Sequence, residues 1–188
     1  MGSTNERPLR ADAQRNRGQI LTAASQAFTK CGLEATLEGI AKDAGVGIGT
    51  LYRHFPTREA LIEAAYRSEL AAVCEAGPEL LAKLPPAEAL RAWMDRFIDY
   101  MARKLGMADA LRAVIASGAD PYAQSRDLLV GAIKPLLDAG AAAGELRSDV
   151  TADDVLLSLS GVGLAAGGRR EQADRLLNLL LDGLRYGA

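Results

Sequence analysis

"GVGIGTLYRHFPTREAL", residues 45–61, sets three glycines directly before a Tyr-Arg-His-Phe cluster and follows it with a Pro-Thr-Arg-Glu restart. Within "GIGTLYRHF" the apolar Leu51 and Phe55 stand four apart, which is helical spacing. Pro56 stops that short helix, and Thr57 caps a following one that turns Leu61, Ile62, Ala65, Tyr66 and Leu70 inward. Upstream, Thr36 is placed to cap "LEGIAKDA", whose Leu37, Ile40, Ala41 and Ala44 face inward; Gly45 ends it, and Val46 is a buried turn residue. Two short helices joined by a glycine turn, the second presenting polar groups, describe a helix-turn-helix.

Further helices extend from this motif on both sides. A first helix runs from about Asp12 to Cys31 with Ile20, Ala24, Ala27 and Phe28 on one face and Gly32 as its left-handed stop. The helix capped by Thr57 is expected to end near Gly77-Pro78. After Pro85-Pro86, Leu90, Met94, Phe97, Ile98, Met101 and Leu105 form one stripe flanked by Trp93 and Tyr100, closed by Gly106. The apolar "MADALRAVIAS" follows, then a helix capped by Asp120 with Pro121 at its first position and a kink at Pro135. The fold class is therefore all-α, with about nine helices: a helix-turn-helix domain over residues 12–60 and a helical domain over 61–188.

Composition narrows the function. The chain is 49% hydrophobic, 24% charged and 5% aromatic, the profile of helix packed on helix. No run reaches the length of a membrane span and the start is polar, so a cytoplasmic protein is expected. Cys31 and Cys74 have no CxxC partner, and His54 is the only histidine, which leaves no readable metal site. No GxSxG, HExxH, P-loop or GxGxxG pattern occurs, so neither catalytic residues nor a cofactor are expected. Residues 1–67 hold nine Lys or Arg against seven acids, whereas the remainder holds 13 against 17. That asymmetry suits an end facing nucleic acid on an acidic body. Thr50, Tyr52, Arg53 and His54 supply donors for phosphate oxygens and base edges, and Gly47 and Gly49 clear side chains from an approaching surface. Arg7, Arg10, Arg15 and Arg17 could extend the contact as an arm.

The stretch from Ile20 to Leu61, and "AGVGIGTLYRHFPTREAL" most specifically, resembles the DNA-binding domain of the TetR family of bacterial transcriptional regulators. The resemblance implies a homodimeric regulator, a repressor that binds a palindromic double-stranded DNA operator and is released by a small-molecule effector. It also implies that Thr36 caps its helix beside a phosphate, that Thr50, Tyr52 and His54 contact DNA, and that Arg58 holds a phosphate. Gly47 and Ile48 depart from the pattern, since relatives commonly carry Ser and then a polar or basic residue there. Arg53 is then the candidate for a guanine and Ile48 for a thymine methyl, although Ile48, three residues before Leu51, equally suits the core.

Methionines and aromatics clustered on central helices ordinarily form core, but the resemblance implies that these helices enclose a largely apolar effector site, with Trp93, Phe97, Tyr100, Met101 and Tyr122 as candidates. In "ADDVLLSLSGVGLAAG", Ser158, Gly161 and Ala165 permit close helix approach beside Leu156, Leu159 and Val162. In "EQADRLLNLLLDGLRYG", Leu176, Leu177, Leu180, Leu181 and Leu184 form a face too wide for one neighbour. Both helices are candidates for a four-helix bundle between two copies. The competing expectation is a helical-bundle binding protein or enzyme with an incidental helix-turn-helix.

Overall fold

The computed structural model describes residues 6–185, with side chains from Asp12 onward. Among them are nine α-helices: α1 (Glu6–Cys31), α2 (Leu37–Asp43), α3 (Ile48–His54), α4 (Arg58–Leu81), α5 (Pro86–Gly106), α6 (Ala108–Ala116), α7 (Ser125–Ala142), α8 (Ala152–Ala166) and α9 (Arg170–Arg185). A single 3-10 turn, Gly32–Glu34, links α1 to α2. Within the described residues two compact units form: the chain up to Ser68 with Arg103–Pro121, and Glu69–Ala102 with the chain from Tyr122 onward.

In the first unit α1, α2 and α3 pack against one another, and α6 packs on the 3-10 turn. Ile20, Ala24 and Phe28 of α1, Ile40 and Ala41 of α2, Leu51 of α3 and Leu61, Ile62 and Ala65 of α4 are buried. Gly106 seats against Thr29, where an added Cβ would stand 2.7 Å from the threonine methyl. Residues 103–121 thus return to a unit that the sequence reading confined to 12–60, through contacts that no local pattern signals.

In the second unit α7 packs on α8 and α8 on α9. The Trp93, Phe97 and Tyr100 rings lie in series along α5, with centroids 5.7 and 5.9 Å apart, and all three are buried. Arg170 of α9 reaches Asp95 and Asp99 of α5 at 2.7 Å each, and Arg91 reaches Asn178 at 2.9 Å. Thr151 caps α8 in a reciprocal box with Asp154, whose carboxyl the Thr151 hydroxyl and N–H hold below the usual range.

Several boundaries differ from the sequence expectation. Helix α1 begins at Glu6 rather than near Asp12, its Pro8 tolerated because first-turn N–H groups have no helical acceptor in any case. Helix α4 continues through Pro78 to Leu81; the proline falls in the last turn, and burial of Ala76 and Leu80 holds that turn to the core. Asp120-Pro121 opens a turn rather than a helix, because Gln124 adopts a left-handed φ of 63° and α7 starts only at Ser125. Helix α7 then runs through Pro135 to Ala142. Leu105 lies outside the α5 core stripe, 41% exposed, and Val46 is only half-buried.

Candidate nucleic-acid interface

Helix α2 starts where the sequence places it. Thr36 is extended (φ −92°, ψ 144°) and its Oγ1 accepts from the Gly39 N–H at 3.1 Å. An added Cβ at Gly39 would stand 2.9 Å from that oxygen, so the glycine makes room for the cap. Thr36 is exposed, and because its oxygen accepts from Gly39 its own proton remains for an outside oxygen. At the other end Gly45 (φ +67°) forms a closed stop: its N–H reaches Lys42 O at 3.0 Å and Val46 N–H reaches Ala41 O at 2.9 Å.

Helix α3 follows after Gly47, which caps it without a side-chain bond. Leu51 is fully buried and Phe55 nearly so, while Ile48 is 37% and Tyr52 46% exposed, and Gly47, Gly49 and Arg53 are exposed beside them. Ile48 is therefore on the open side of α3. Thr50 and His54 are half-buried, His54 with its ring centroid 6.2 Å from that of Phe55. Added Cβ atoms at Gly47 or Gly49 would meet nothing within 4 Å, so internal packing does not require glycine at either position. Arg53 folds back along the helix, Nε donating to Gly49 O and Nη2 to Thr50 Oγ1, each at 3.2 Å.

Arg58, expected at a phosphate, directs its fork inward: Nη1 donates to Ala35 O and Nη2 to Leu33 O, both at 2.7 Å, and the guanidinium lies 5.2 Å over the Phe28 ring. Thr57 Oγ1 accepts from Ala60 N–H at 3.1 Å, capping α4 as its sequence suggests. Of the arm candidates, Arg15 pairs with Asp12 at 3.4 Å and Arg17 lies 5.4 Å over the Phe55 ring. The side chains of Arg7 and Arg10 fall outside the described residues. The arrangement joins donors, a cation and one apolar side chain on an α3 stripe bordered by bare backbone. Phosphate oxygens and base edges in a major groove need those groups.

In the second unit, Trp93, Phe97, Tyr100 and Met101 are buried and Tyr122 half-buried. Trp93 Nε1 donates to Val73 O at 2.8 Å. Of the residues named for self-association, Leu156, Leu159, Leu177, Leu181 and Leu184 are buried within the unit, and Val162, Leu176 and Leu180 are half-buried. Leu157, Leu164 and Leu179, which the sequence reading passed over, are 76%, 61% and 68% exposed. On α8 the signal was the seven-residue interval between Leu157 and Leu164, hidden by the adjacent Leu156 and Leu159.

Residues 20–65 match the model of bacterial regulatory proteins of the tetR family, and residues 85–186 match that of the transcriptional regulator SbtR-like C-terminal domain. The TetR transcriptional regulator SCO0520 from Streptomyces coelicolor is 61% identical, with a TM-score of 0.89 over 92% of this chain and 99% of that one. A TetR transcription regulatory protein from Mycobacterium vanbaalenii is 33% identical, with a TM-score of 0.79 over 95% and 99%. The HTH-type transcriptional regulator UidR of Escherichia coli K12 is 40% identical over 57 residues, which are 30% of this chain and 29% of that protein. The likeness to such curated relatives thus spans less than a third of their length. With the C-terminal half and the N-terminal helix-turn-helix stretch matched by family models and a whole-length structural relative at 61% identity, this chain belongs to the TetR family of bacterial regulatory proteins.

Proposed function

We propose that the protein is a transcriptional regulator acting in the cytoplasm as a homodimeric repressor, binding a palindromic operator and released by a small-molecule effector. The observation that carries the reading is the face of α3. Ile48, Tyr52 and Arg53 face outward around a buried Leu51, behind an α2 whose capping hydroxyl is exposed. Thr36, Thr50, Tyr52 and His54 serve the phosphates and base edges, Arg53 a guanine and Ile48 a thymine methyl. Arg53 must leave Gly49 and Thr50 to do so.

Two such helices reach successive major grooves only when two copies pair, with half-sites about 34 Å apart or a multiple of that. Leu157, Leu164 and Leu179, with Val162, Leu176 and Leu180 beside them, are the surface offered for that pairing. Three leucines each more than 60% exposed on adjacent helices favour an apolar cover. The effector is assigned to the second unit, near Phe97, Tyr100, Met101 and Tyr122; the Trp93 N–H is occupied by Val73 and leaves that residue only its apolar faces.

Selection from a random double-stranded DNA pool at moderate salt tests the reading. Enrichment of a palindrome is expected and gives the half-site spacing. A folded dimer that enriches nothing would favour the helical-bundle binding protein. Effector and operator must oppose one another by linkage, so added operator lowers effector affinity by the factor by which effector lowers operator affinity.

A further inference from the structure

We propose that Arg58 is a positioning residue: it sets the start of α2, and through it the Thr36 hydroxyl, instead of gripping a phosphate. The inference rests on the DNA-binding reading above. The chain bends from the 3-10 turn into α2 through extended Ala35 and Thr36. In a helix beginning one turn earlier, Ala35 O would accept from Gly39 N–H; here Thr36 Oγ1 takes that N–H, and Arg58 Nη1 supplies the carbonyl with another donor at 2.7 Å. Nη2 closes on Leu33 O at the same distance, so one planar fork fixes two carbonyls, one of them on the residue immediately before the cap. The ring of the buried Phe28 supports the guanidinium face. Arg58 is also the first residue of α4. Its side chain therefore fastens the start of α4 to the start of α2, and the two must move together or part at these bonds.

The test is a double-mutant cycle on the full chain with its selected operator, joined to amide exchange on the free protein. Thr36→Val is expected to weaken operator binding about tenfold by itself, the scale of a hydrogen bond to a charged group. In Arg58→Met the same change adds little, because the hydroxyl is already misplaced. The slope of log affinity against log salt stays at the wild-type value in Arg58→Met, whereas loss of a phosphate contact would lower it by about 0.9. Arg58→Lys keeps the charge but not the fork, and is expected not to restore the coupling. Additive effects with a reduced salt slope, or full rescue by lysine, overturn the inference while leaving the DNA-binding reading intact.

Exchange decides independently of DNA. Without its strap the first turn of α2 should open more often, so Gly39 and Ile40 exchange on the order of tenfold faster in Arg58→Met while buried α1 amides keep their rates. Unchanged rates overturn the inference even if no operator is found. Should Arg58→Met fail to fold, Arg58→Lys decides by the same two amides: faster exchange supports the strap and an unchanged rate refutes it.

Discussion

Trp93 donates its indole N–H to the backbone carbonyl of Val73 at 2.8 Å, tying α5 to α4 inside the second unit, and both residues are buried. Trp93→Phe keeps an aromatic ring beside Phe97 but removes the donor and the indole's second ring. The loss is expected to be about 1–3 kcal/mol, from an unmade buried hydrogen bond together with a small void. Urea denaturation reads it as a lower midpoint at unchanged slope. A loss below about 0.5 kcal/mol, the scale of surface substitutions, would show that the bond does not hold α5 in place.

The helix-turn-helix was legible because its punctuation is local. Thr36 and Thr57 cap, Gly32 and Gly45 take positive φ, and Leu51 and Phe55 point inward, each consequence lying within four residues of its cause. Contacts across long intervals were not legible. Arg58 meets carbonyls 23 and 25 residues away, and its position at a helix start suggests only an exposed cation. Gln124 hid its left-handed φ behind an Asp-Pro pair that resembles a helix start. On α8 apolar residues fall on every side, so periodicity could not separate the buried Leu156 and Leu159 from the exposed Leu157 and Leu164.

That separation yields the second prediction. Leu157→Glu together with Leu179→Glu places charge where the chain itself leaves the side chains open, so far-UV dichroism and folding are retained. If this face joins two copies, light scattering reports monomers, and operator affinity falls because only one half-site is held. Leu159→Glu makes the contrast: its side chain is fully buried, and a carboxylate there unfolds the unit. A dimer that survives the double variant places the interface elsewhere.

The two cysteines should differ in reactivity. Burial, with a smaller contribution from neighbouring Glu75, raises the Cys74 thiol from 9.0 to about 11, whereas Cys31 is exposed. Thiolate is the nucleophile, so at pH 8 iodoacetamide alkylates Cys31 first and Cys74 only slowly. A thiol raised in the folded state keeps its proton longer than in the unfolded chain. Stability from this group is therefore intact below about pH 9 and declines as pH rises toward about 11. Mass spectrometry of a timed labelling series reads the order, and equal rates at the two sites would contradict it.

Glycine at position 49 offers the sharpest separation of folding from function. An added methyl there meets nothing within 4 Å, and the residue lies in the first turn of α3, so Gly49→Ala should stabilise the fold by up to about 1 kcal/mol through helix propensity. The same methyl would stand between the helix and any DNA seated on the face carrying Ile48, Tyr52 and Arg53. Operator affinity is accordingly expected to fall about tenfold, the scale of one poorly accommodated contact. Gly45→Ala supplies the opposite signature: φ of +67° strains any side chain, so the first unit loses about 1–2 kcal/mol. Thermal melts and operator titrations on the two variants together distinguish a glycine the backbone requires from one an outside surface requires. If Gly49→Ala melted higher and bound its operator as tightly as the wild type, close approach of DNA at this position would be ruled out.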